Sequence, residues 1–455
     1  MQDKTRITPV LAGLAVAVAA AVAPVFAHAV EPSSTTSSPT YQPAPVAKSS
    51  ALDSIVVKQA KGDEYKETDL WARIRSGYAI PDIDNQLVAN HVNWYATRPD
   101  YIARTGQRAS RYLYHVVTEL EKRGMPTELA LLPVIESAFN PQANSSANAA
   151  GMWQFVPGTG KDFNLAQNLF TDERRGVLES TDAALTYLQK LYNMFGDWQL
   201  ALAAYNWGEG NVQKAIKRNQ ALGKPTDFES LSALMPAETR NYVPKLQAVK
   251  NIIGNPAQYN VTLPPIQNEA YFTTIDKTSD MDVEVAAKLA ELSVDEFKAL
   301  NPQFTRPVIT GGEKTKILLP QANAEKFYAN LASWGHALST WTTHKIAGAK
   351  ETIVALASKF HTTPEVIREA NNIPAKTRLK AGSTILVPKM AASAASDNDI
   401  AEHIVENAVL ALEPDRGDSK RVVRTRMTNA QKFRAKTASA VETIKSRIQR
   451  KKRGS

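Results

Sequence analysis

Glu136 lies within the run Leu129 to Pro141 (LALLPVIESAFNP) and is the only charged residue in it. Burial in apolar surroundings disfavours the ionised form of a carboxyl and raises its pKa. A carboxyl still protonated near neutral pH can serve as a general acid. Taken alone, the run fits equally well a carboxylate on the solvated side of a helix end. A second run, Ala149 to Gly160 (AAGMWQFVPGTG), sets Gln154 between Trp153 and Phe155. Aromatic faces and amides bind sugar rings and their hydroxyl and acetamido groups. An isolated copy would more simply be a core contact beside a helix cap. A third run, Ala203 to Val212 (AAYNWGEGNV), offers the Tyr205 hydroxyl and the Asn206 amide at a helix end, followed by Gly208 and Gly210. The fourth candidate is Tyr242, in Asn241-Tyr242-Val243-Pro244. A lone tyrosine is more often core than catalytic.

The candidate motifs supply one carboxylate, Glu136, whereas hydrolysing glycosidases usually pair two. Glu173, Asp197, Glu179 and Glu209 are the nearby acids. Glu179 falls at a helix start, where an acid is favoured in any case, and Glu209 lies in a glycine turn. All four read as structural.

The elements that must position these groups follow from pattern. From about Asp69 to Gly254 the apolar spacing is helical. Ala184, Leu185, Leu188, Leu191, Tyr192 and Phe195 recur at three- and four-residue steps, with Ser180 and Thr181 as candidate N-caps and Gly196 as a stop. Ala201, Leu202 and Tyr205 open another helix. Beyond Pro264 the segments shorten, with strand-like pieces at Tyr271–Ile275, Ile317–Leu319 and Ile385–Val387. Two stretches read as diverged copies of one unit. Asp282-Val283 matches Thr352-Ile353, Ala287 matches Ala357, Phe297 matches Ile367, and Asn301 matches Asn371. Ile317-Leu318-Leu319-Pro320 then matches Ile385-Leu386-Val387-Pro388. A strand, two short helices and a strand fit each copy.

The ends differ from this body. Lys4 and Arg6 precede an apolar run, Val10 to Ala23, then Pro24 and Ala27-His28-Ala29. This reads as a secretory signal peptide cut after Ala29. The run is short and alanine-rich for the alternative, an uncleaved anchor helix. Residues 30–65 open with a Pro/Ser/Thr-rich linker, and residues 391–400 look like a second one. The final residues, 416–455, hold 14 Lys and Arg against 2 Asp and Glu. The overall charge of +9 thus leaves a net −3 on the rest. Charge concentrated in a tail poor in large apolar residues fits a solvated, disordered segment that could contact an anionic polymer or a membrane surface. Its one aromatic, Phe433, is too little interleaving for a nucleic-acid reader. The absence of cysteine excludes disulfides, thiolate-held metals, a thiol nucleophile and cysteine lipidation.

Taken in order, the four runs resemble the motifs of the family 1 lytic transglycosylases. The matching residues are Glu136-Ser137, Gly151-Met152-Trp153-Gln154, Ala204-Tyr205-Asn206-Trp207-Gly208 and Tyr242, with Asp69-Leu70-Trp71 and Trp94-Tyr95 upstream. The resemblance implies a goose-lysozyme-like helical catalytic domain and cleavage of the β-1,4 bond between N-acetylmuramic acid and N-acetylglucosamine in peptidoglycan. In the implied mechanism Glu136 is acid and then base, a 1,6-anhydro end forms, and no metal or cofactor takes part. Ser137 and Tyr242 would hydrogen-bond around Glu136 and the reacting sugar, while Gln154, Tyr205 and Asn206 orient the glycan.

His344-Lys345-Ile346, Glu351-Thr352-Ile353, Ala357, Asn371 and Ile385–Pro388 resemble a LysM module, which implies binding of N-acetylglucosamine-containing glycan. There Gly348-Ala349-Lys350 is one residue longer than the usual pattern, and Lys350 replaces a glycine in a turn that helps shape the glycan groove. Residues 271–320 resemble LysM more faintly, as a degenerate copy. The anchor cysteine of lipidated relatives has no counterpart, which with the signal peptide implies a periplasmic protein associated with wall or membrane.

The expected fold is mainly α: a lysozyme-like helical domain followed by small βααβ modules. The expected division is signal peptide 1–29, linker 30–65, helical domain 66–258, degenerate module 262–340, LysM 341–389 and basic tail 390–455. The rival readings are a muramidase-type hydrolase of the same bond and a non-catalytic glycan-binding scaffold.

Overall fold

The computed structural model describes residues 69–415 apart from 278, 313–314, 349–350 and 391–398. The signal peptide, the first linker, nearly all of the second, the Ala349-Lys350 turn and the basic tail from residue 416 lie outside the described residues. The described residues form two compact units. One comprises residues 69–344 and 386–409, the other residues 345–385 and 410–415.

The first unit begins with a helical domain. Its helices are α1 (Leu70–Ser76), α2 (Gln86–Ala96), α3 (Pro99–Ala109), α4 (Leu113–Lys122), α5 (Leu132–Ser137), α6 (Pro157–Asp162), α7 (Val177–Phe195), α8 (Trp198–Trp207), α9 (Glu209–Ala221), α10 (Phe228–Leu231) and α11 (Ala237–Gly254). One apolar core runs through them, and α7, α8 and α11 present buried faces to it. Their packing, more than intrinsic propensity, holds helices of this length. Asp197 caps α8 by accepting from the Leu200 N–H at 2.9 Å.

Helix α7 differs from the sequence reading at its start. Ser180 and Thr181 are fully buried inside the helix, which begins a turn earlier after Gly176. Buried Val177 extends the apolar face by that turn, so packing replaces a side-chain cap. Gly196 ends the helix in the left-handed conformation, φ 67°.

Beneath α5 a buried carboxylate organises the chain. Glu128 lies in the 3-10 turn Thr127–Leu131 and accepts from the N–H groups of Ala79 and Ile80 and from Lys250 Nζ at 3.2 Å. Lys250 on α11 also reaches Asp82 at 2.7 Å. A fully buried carboxylate needs such partners. The cluster ties α5 and α11 to one substructure.

The remainder of the chain changes style. Strands β1 (Phe272–Asp276), β2 (Met281–Asp282), β3 (Val308–Ile309) and β4 (Lys316–Pro320) surround α12 (Val283–Leu289) and α13 (Val294–Leu300), and α14 (Gln321–Ala332) follows. β1 pairs antiparallel with β4, Thr274 opposite Leu318, and β2 pairs antiparallel with β3. A second set follows as β5 (Trp341–Lys345), α15 (Ile353–Lys359), α16 (Pro364–Ala370), β6 (Thr377–Leu379) and β7 (Thr384–Pro388), with β5 beside β7. Both copies are thus strand, helix, helix, strand, each with extra short strand pairing.

The repeated asparagine has a structural reason. Asn301 Nδ2 donates to the carbonyls of Phe297 and Leu318, and Asn301 Oδ1 accepts from the Leu318 N–H. It closes the end of α13 and fastens it to β4. Asn371 donates in the same way to the carbonyl four residues earlier, that of Ile367, at 2.8 Å.

The tail reading from residue 390 onward differs from the structure over 399–415. Helix α17 (Glu402–Asn407) buries Val405, and β8 (Leu412–Pro414) pairs with β6. The Ile400 N–H donates to Asp280 at 2.8 Å, and Asp399 accepts from the Asp280 N–H at 2.7 Å. The apolar residues Ile400 and Val405 supply what the basic composition farther on lacks. Among the described residues no helix is long and apolar enough to cross a membrane.

Candidate active site

Helix α5 carries Glu136 on its last turn and stops abruptly. Ala138 and Phe139 both take left-handed backbone, φ 51° and 54°. The Ala138 N–H closes the helix by donating to Val134, and that of Phe139 by donating to Pro133. Two consecutive non-glycine residues in this region cost energy, and such strain concentrates at functional sites. Fully buried Phe139 anchors the bend.

The Tyr242 hydroxyl, from α11, donates to Glu136 Oε1 at 2.5 Å. Desolvation dominates the electrostatics and pushes the Glu136 pKa up to about 7. The Tyr242 hydrogen bond opposes that shift, the charge of Glu238 adds to it, and Lys245 opposes it. The Tyr242 and Tyr205 hydroxyls are themselves held well above the ordinary tyrosine pKa, first by burial and then by the Glu136 charge. Both remain neutral donors.

The opposite wall is the turn Gly151–Gln154. Ser137 Oγ donates to the Met152 carbonyl at 3.0 Å, and the Tyr205 hydroxyl donates to the Trp153 carbonyl at 2.9 Å. Gln154 has φ 53°, and its Nε2 donates to the Gly151 carbonyl at 2.7 Å. Gly151 is required on two counts. Its φ is 84°, and a Cβ there would run into the Arg174 carbonyl oxygen. Asn206, at the end of α8, accepts from Thr239 Oγ1 at 2.7 Å and donates to Glu238 at 3.4 Å. It therefore joins α8 to the start of α11, one turn before Tyr242.

Tyr242 thus bonds Glu136 directly and Tyr205 lies within reach of the Glu136 charge, Ser137, Gln154 and Tyr205 converge on one turn, and Asn206 braces the helix that carries Tyr242. Ser137 directs its hydroxyl to Met152 rather than to Glu136. The sugar-stacking reading of Trp153 and Phe155 is corrected. Both are buried in the core, and Trp153 Nε1 donates to Thr181 Oγ1 at 3.1 Å. A fully buried indole has no face left for a ligand.

The other acids are engaged elsewhere. Asp197 is a helix cap, Glu173 accepts from the Ala166 N–H at 2.7 Å, and Glu209 accepts from Tyr187 and Lys190. Burial raises the pKa of Glu179, packed against Gly176. Glu238 was not singled out from the sequence. Its signal was available: it stands four residues before Tyr242, one helical turn away on the same face.

Three stretches of the chain match known protein families. Residues 116–228 match the transglycosylase SLT domain, a span that holds Glu136, Ser137, Gln154, Tyr205 and Asn206 but not Tyr242. Residues 271–335 match the LysM-like domain of lytic transglycosylase MltD, and residues 349–388 match the LysM domain. The chain is 36% identical over 306 residues to membrane-bound lytic murein transglycosylase D of Escherichia coli K12, covering 67% of this chain and 65% of that protein. It is 45% identical over 127 residues to a putative tributyltin chloride resistance protein of Alteromonas, covering 28% of this chain and 61% of that one. Among solved structures, an inactive mutant of lytic transglycosylase Slt from Pseudomonas aeruginosa is 25% identical, with a TM-score of 0.26, over 33% of this chain and 25% of that one. The chain spans slightly less than two thirds of the length of the transglycosylase D relative. Residues 116–228 are therefore a transglycosylase SLT domain, and an MltD-type LysM-like domain and a LysM domain follow it.

Proposed function

We propose that the protein is a lytic transglycosylase of peptidoglycan, acting on the β-1,4 bond between N-acetylmuramic acid and N-acetylglucosamine. The observation that carries this reading is a single carboxyl, Glu136, with a pKa raised to about 7 and a tyrosine hydroxyl on one oxygen. Asp197, Glu173 and Glu209 have structural partners of their own, and Glu238, whose charge reaches Glu136, accepts from Asn206. The SLT domain match and the similarity to transglycosylase D support the same reading.

The reaction runs through one residue twice. The Glu136 proton passes to the bridging oxygen, and the bond from that oxygen to C1 of the muramoyl sugar breaks. N-acetylglucosamine leaves with a free hydroxyl. The carboxylate left on Glu136 then takes the proton of the C6 hydroxyl of the same muramoyl sugar, and O6 bonds to C1. One C–O bond breaks and one forms, Glu136 regains its proton, and no water is consumed. A pKa near the working pH suits a group that must both give and receive. The substrate acetamido group assists at C1, as the family resemblance implies.

Tyr242 stabilises the carboxylate half of this cycle. Gln154 and Asn206 orient the glycan, while Tyr205 and Ser137 hold the turn beside it. The LysM domain binds N-acetylglucosamine-containing glycan, and the basic tail adds contact with anionic polymer or membrane. The division of the chain is the one read from the sequence, with the tail beginning after the strand at Leu412–Pro414. An exported, periplasmic protein associated with the wall fits the N-terminal residues.

Mass spectrometry of muropeptides released from purified sacculi tests the reading, with the wild type run beside Glu136→Gln. The expected products are lighter by one water than hydrolysis products and are absent with the variant. Ordinary reducing ends would make the enzyme a muramidase. No product from either protein would leave a glycan-binding scaffold.

A further inference from the structure

The LysM-like module is fastened to the helical domain by its backbone, at a place continuous with the active-site turn. The Asp172 N–H donates to the Gln303 carbonyl at 2.9 Å, and the Thr305 N–H donates to the Phe170 carbonyl at 2.9 Å. Thr171 and Phe304 form an antiparallel bridge between these bonds, and Thr305 Oγ1 donates to the Leu169 carbonyl at 3.0 Å. The module edge Gln303–Thr305 thus extends the loop Leu169–Asp172 as a short strand. Nearby, the Tyr112 hydroxyl donates to the Ala299 carbonyl at 2.7 Å, which fixes the end of α13 against the same domain.

From Asp172 the support continues to the site. The Asp172 carboxylate receives Arg174 Nε and Nη2 as a two-pronged pair, both at 2.8 Å, and both side chains are largely buried. Such paired bonds fix a guanidinium in its plane. Arg174 Nη1 then donates to the carbonyls of Asn148 at 2.7 Å and Phe155 at 3.2 Å. Those carbonyls flank the Gly151–Gln154 turn on both sides. Gly151 packs directly on the Arg174 carbonyl, and Ala150 and Phe155 close the turn as an antiparallel bridge. The left-handed backbone of Gln154 needs this enclosure, because a strained conformation persists only where its surroundings over-determine it.

We infer that the LysM-like module is an intramolecular buttress of the glycan-orienting turn, acting through Thr305, Asp172 and Arg174 as positioning residues. This inference rests on the glycan-cleaving reading above for its functional consequence. The coupling itself is structural and can be read without glycan.

The experiment uses the full chain with Glu136→Gln as parent, so that bound glycan is not consumed. Thr305→Pro removes both Thr305 donors on the module side. Arg174→Lys keeps the charge but loses the paired geometry on the domain side. Thr305→Ser retains both donors and is the conservative control. Hydrogen exchange followed by mass spectrometry reads the amides of residues 150–155, and calorimetry reads binding of a soluble disaccharide-repeat glycan from peptidoglycan. Thr305→Pro and Arg174→Lys are each expected to speed exchange in that peptide and weaken binding about tenfold, because small displacements of positioning groups carry large penalties. The double variant should be no worse than the worse single one, since both break one line of support. Thr305→Ser should match the parent. In the active background KM should rise while the pH at which activity falls stays fixed, since Glu136 is untouched. If the Pro variant fails to fold, Arg174→Lys decides. Unchanged exchange at residues 150–155 in a folded Arg174→Lys protein would overturn the inference, as would penalties that multiply in the double variant. A parent that binds no glycan would sink the glycan-cleaving reading, while the exchange data would still decide the coupling.

Discussion

Glu136 couples the chemistry of the site to the stability of the fold. Its pKa rises from an ordinary value of 4.5 to about 7, chiefly through desolvation. Between those values the folded state holds a proton that the unfolded chain has released. Stability therefore falls as pH rises through that window and levels off above it, by at most about 3 kcal/mol. Glu136→Gln should consequently melt higher than the wild type at pH 8 and with it at pH 4. Equal melting differences at both values would contradict a raised pKa. Activity should lose its acid as pH climbs past about 7. Tyr242→Phe removes a hydrogen bond that favours the carboxylate, so its alkaline limb should move to higher pH while kcat falls about tenfold to a hundredfold, the scale of one bond to a charged group. A pH–rate profile reads both effects. The lone carboxyl in an apolar run was legible at this scale. Glu238 could be marked by its spacing from Tyr242, but its influence on Glu136 could not, because that arises where two helices meet and the sequence between them does not show the meeting.

At the scale of elements, the site is two tight turns facing one helix. Helix α5 ends on left-handed Ala138 and Phe139, and the opposite turn ends on left-handed Gln154. The sequence marks such backbone with glycine or asparagine, and neither occurs at these positions, so this geometry could not be read beforehand. Gly151 and Gly196 could, since glycine points to the conformation they adopt. The N-cap of α7 was misplaced for a related reason: a buried valine extends a helix as effectively as a serine caps it, and burial is not local information. The backbone at Gln154 yields a test that separates strain from function. Gln154→Ala and Gln154→Gly both lose the amide, and both should raise KM about tenfold, the scale of a misplaced orienting group. Only the glycine variant relieves the left-handed conformation, so it should be more stable than the alanine variant by about 1 kcal/mol. Denaturant melts compare the two, and equal midpoints would show that the turn stores no strain.

Over the whole molecule, two copies of one βααβ unit have diverged in how they attach. The repeat was legible because Asn301 and Asn371 do the same work, closing the second helix of each copy onto a carbonyl four residues earlier. Their different attachment was not legible, because it depends on loops that share no pattern. The first copy is bound by backbone to Phe170 and Asp172 and shares a unit with the helical domain. Most of the second copy belongs to the other unit. The first copy is then part of the same unit as the helical domain, and most of the second copy is not. Deleting residues 341–389 removes the second copy and leaves the described bonds between the first copy and the helical domain in place, as well as Thr340 on Asp282 within the first copy's own end. The deletion should weaken pelleting with sacculi and leave cleavage of a short soluble glycan within about twofold of the full chain, since linking two binding sites raises avidity without changing either one. Pelleting that survives the deletion would place wall binding in the catalytic domain or the basic tail. A matched loss of soluble cleavage would mean that the second copy, like the first, supports the active site.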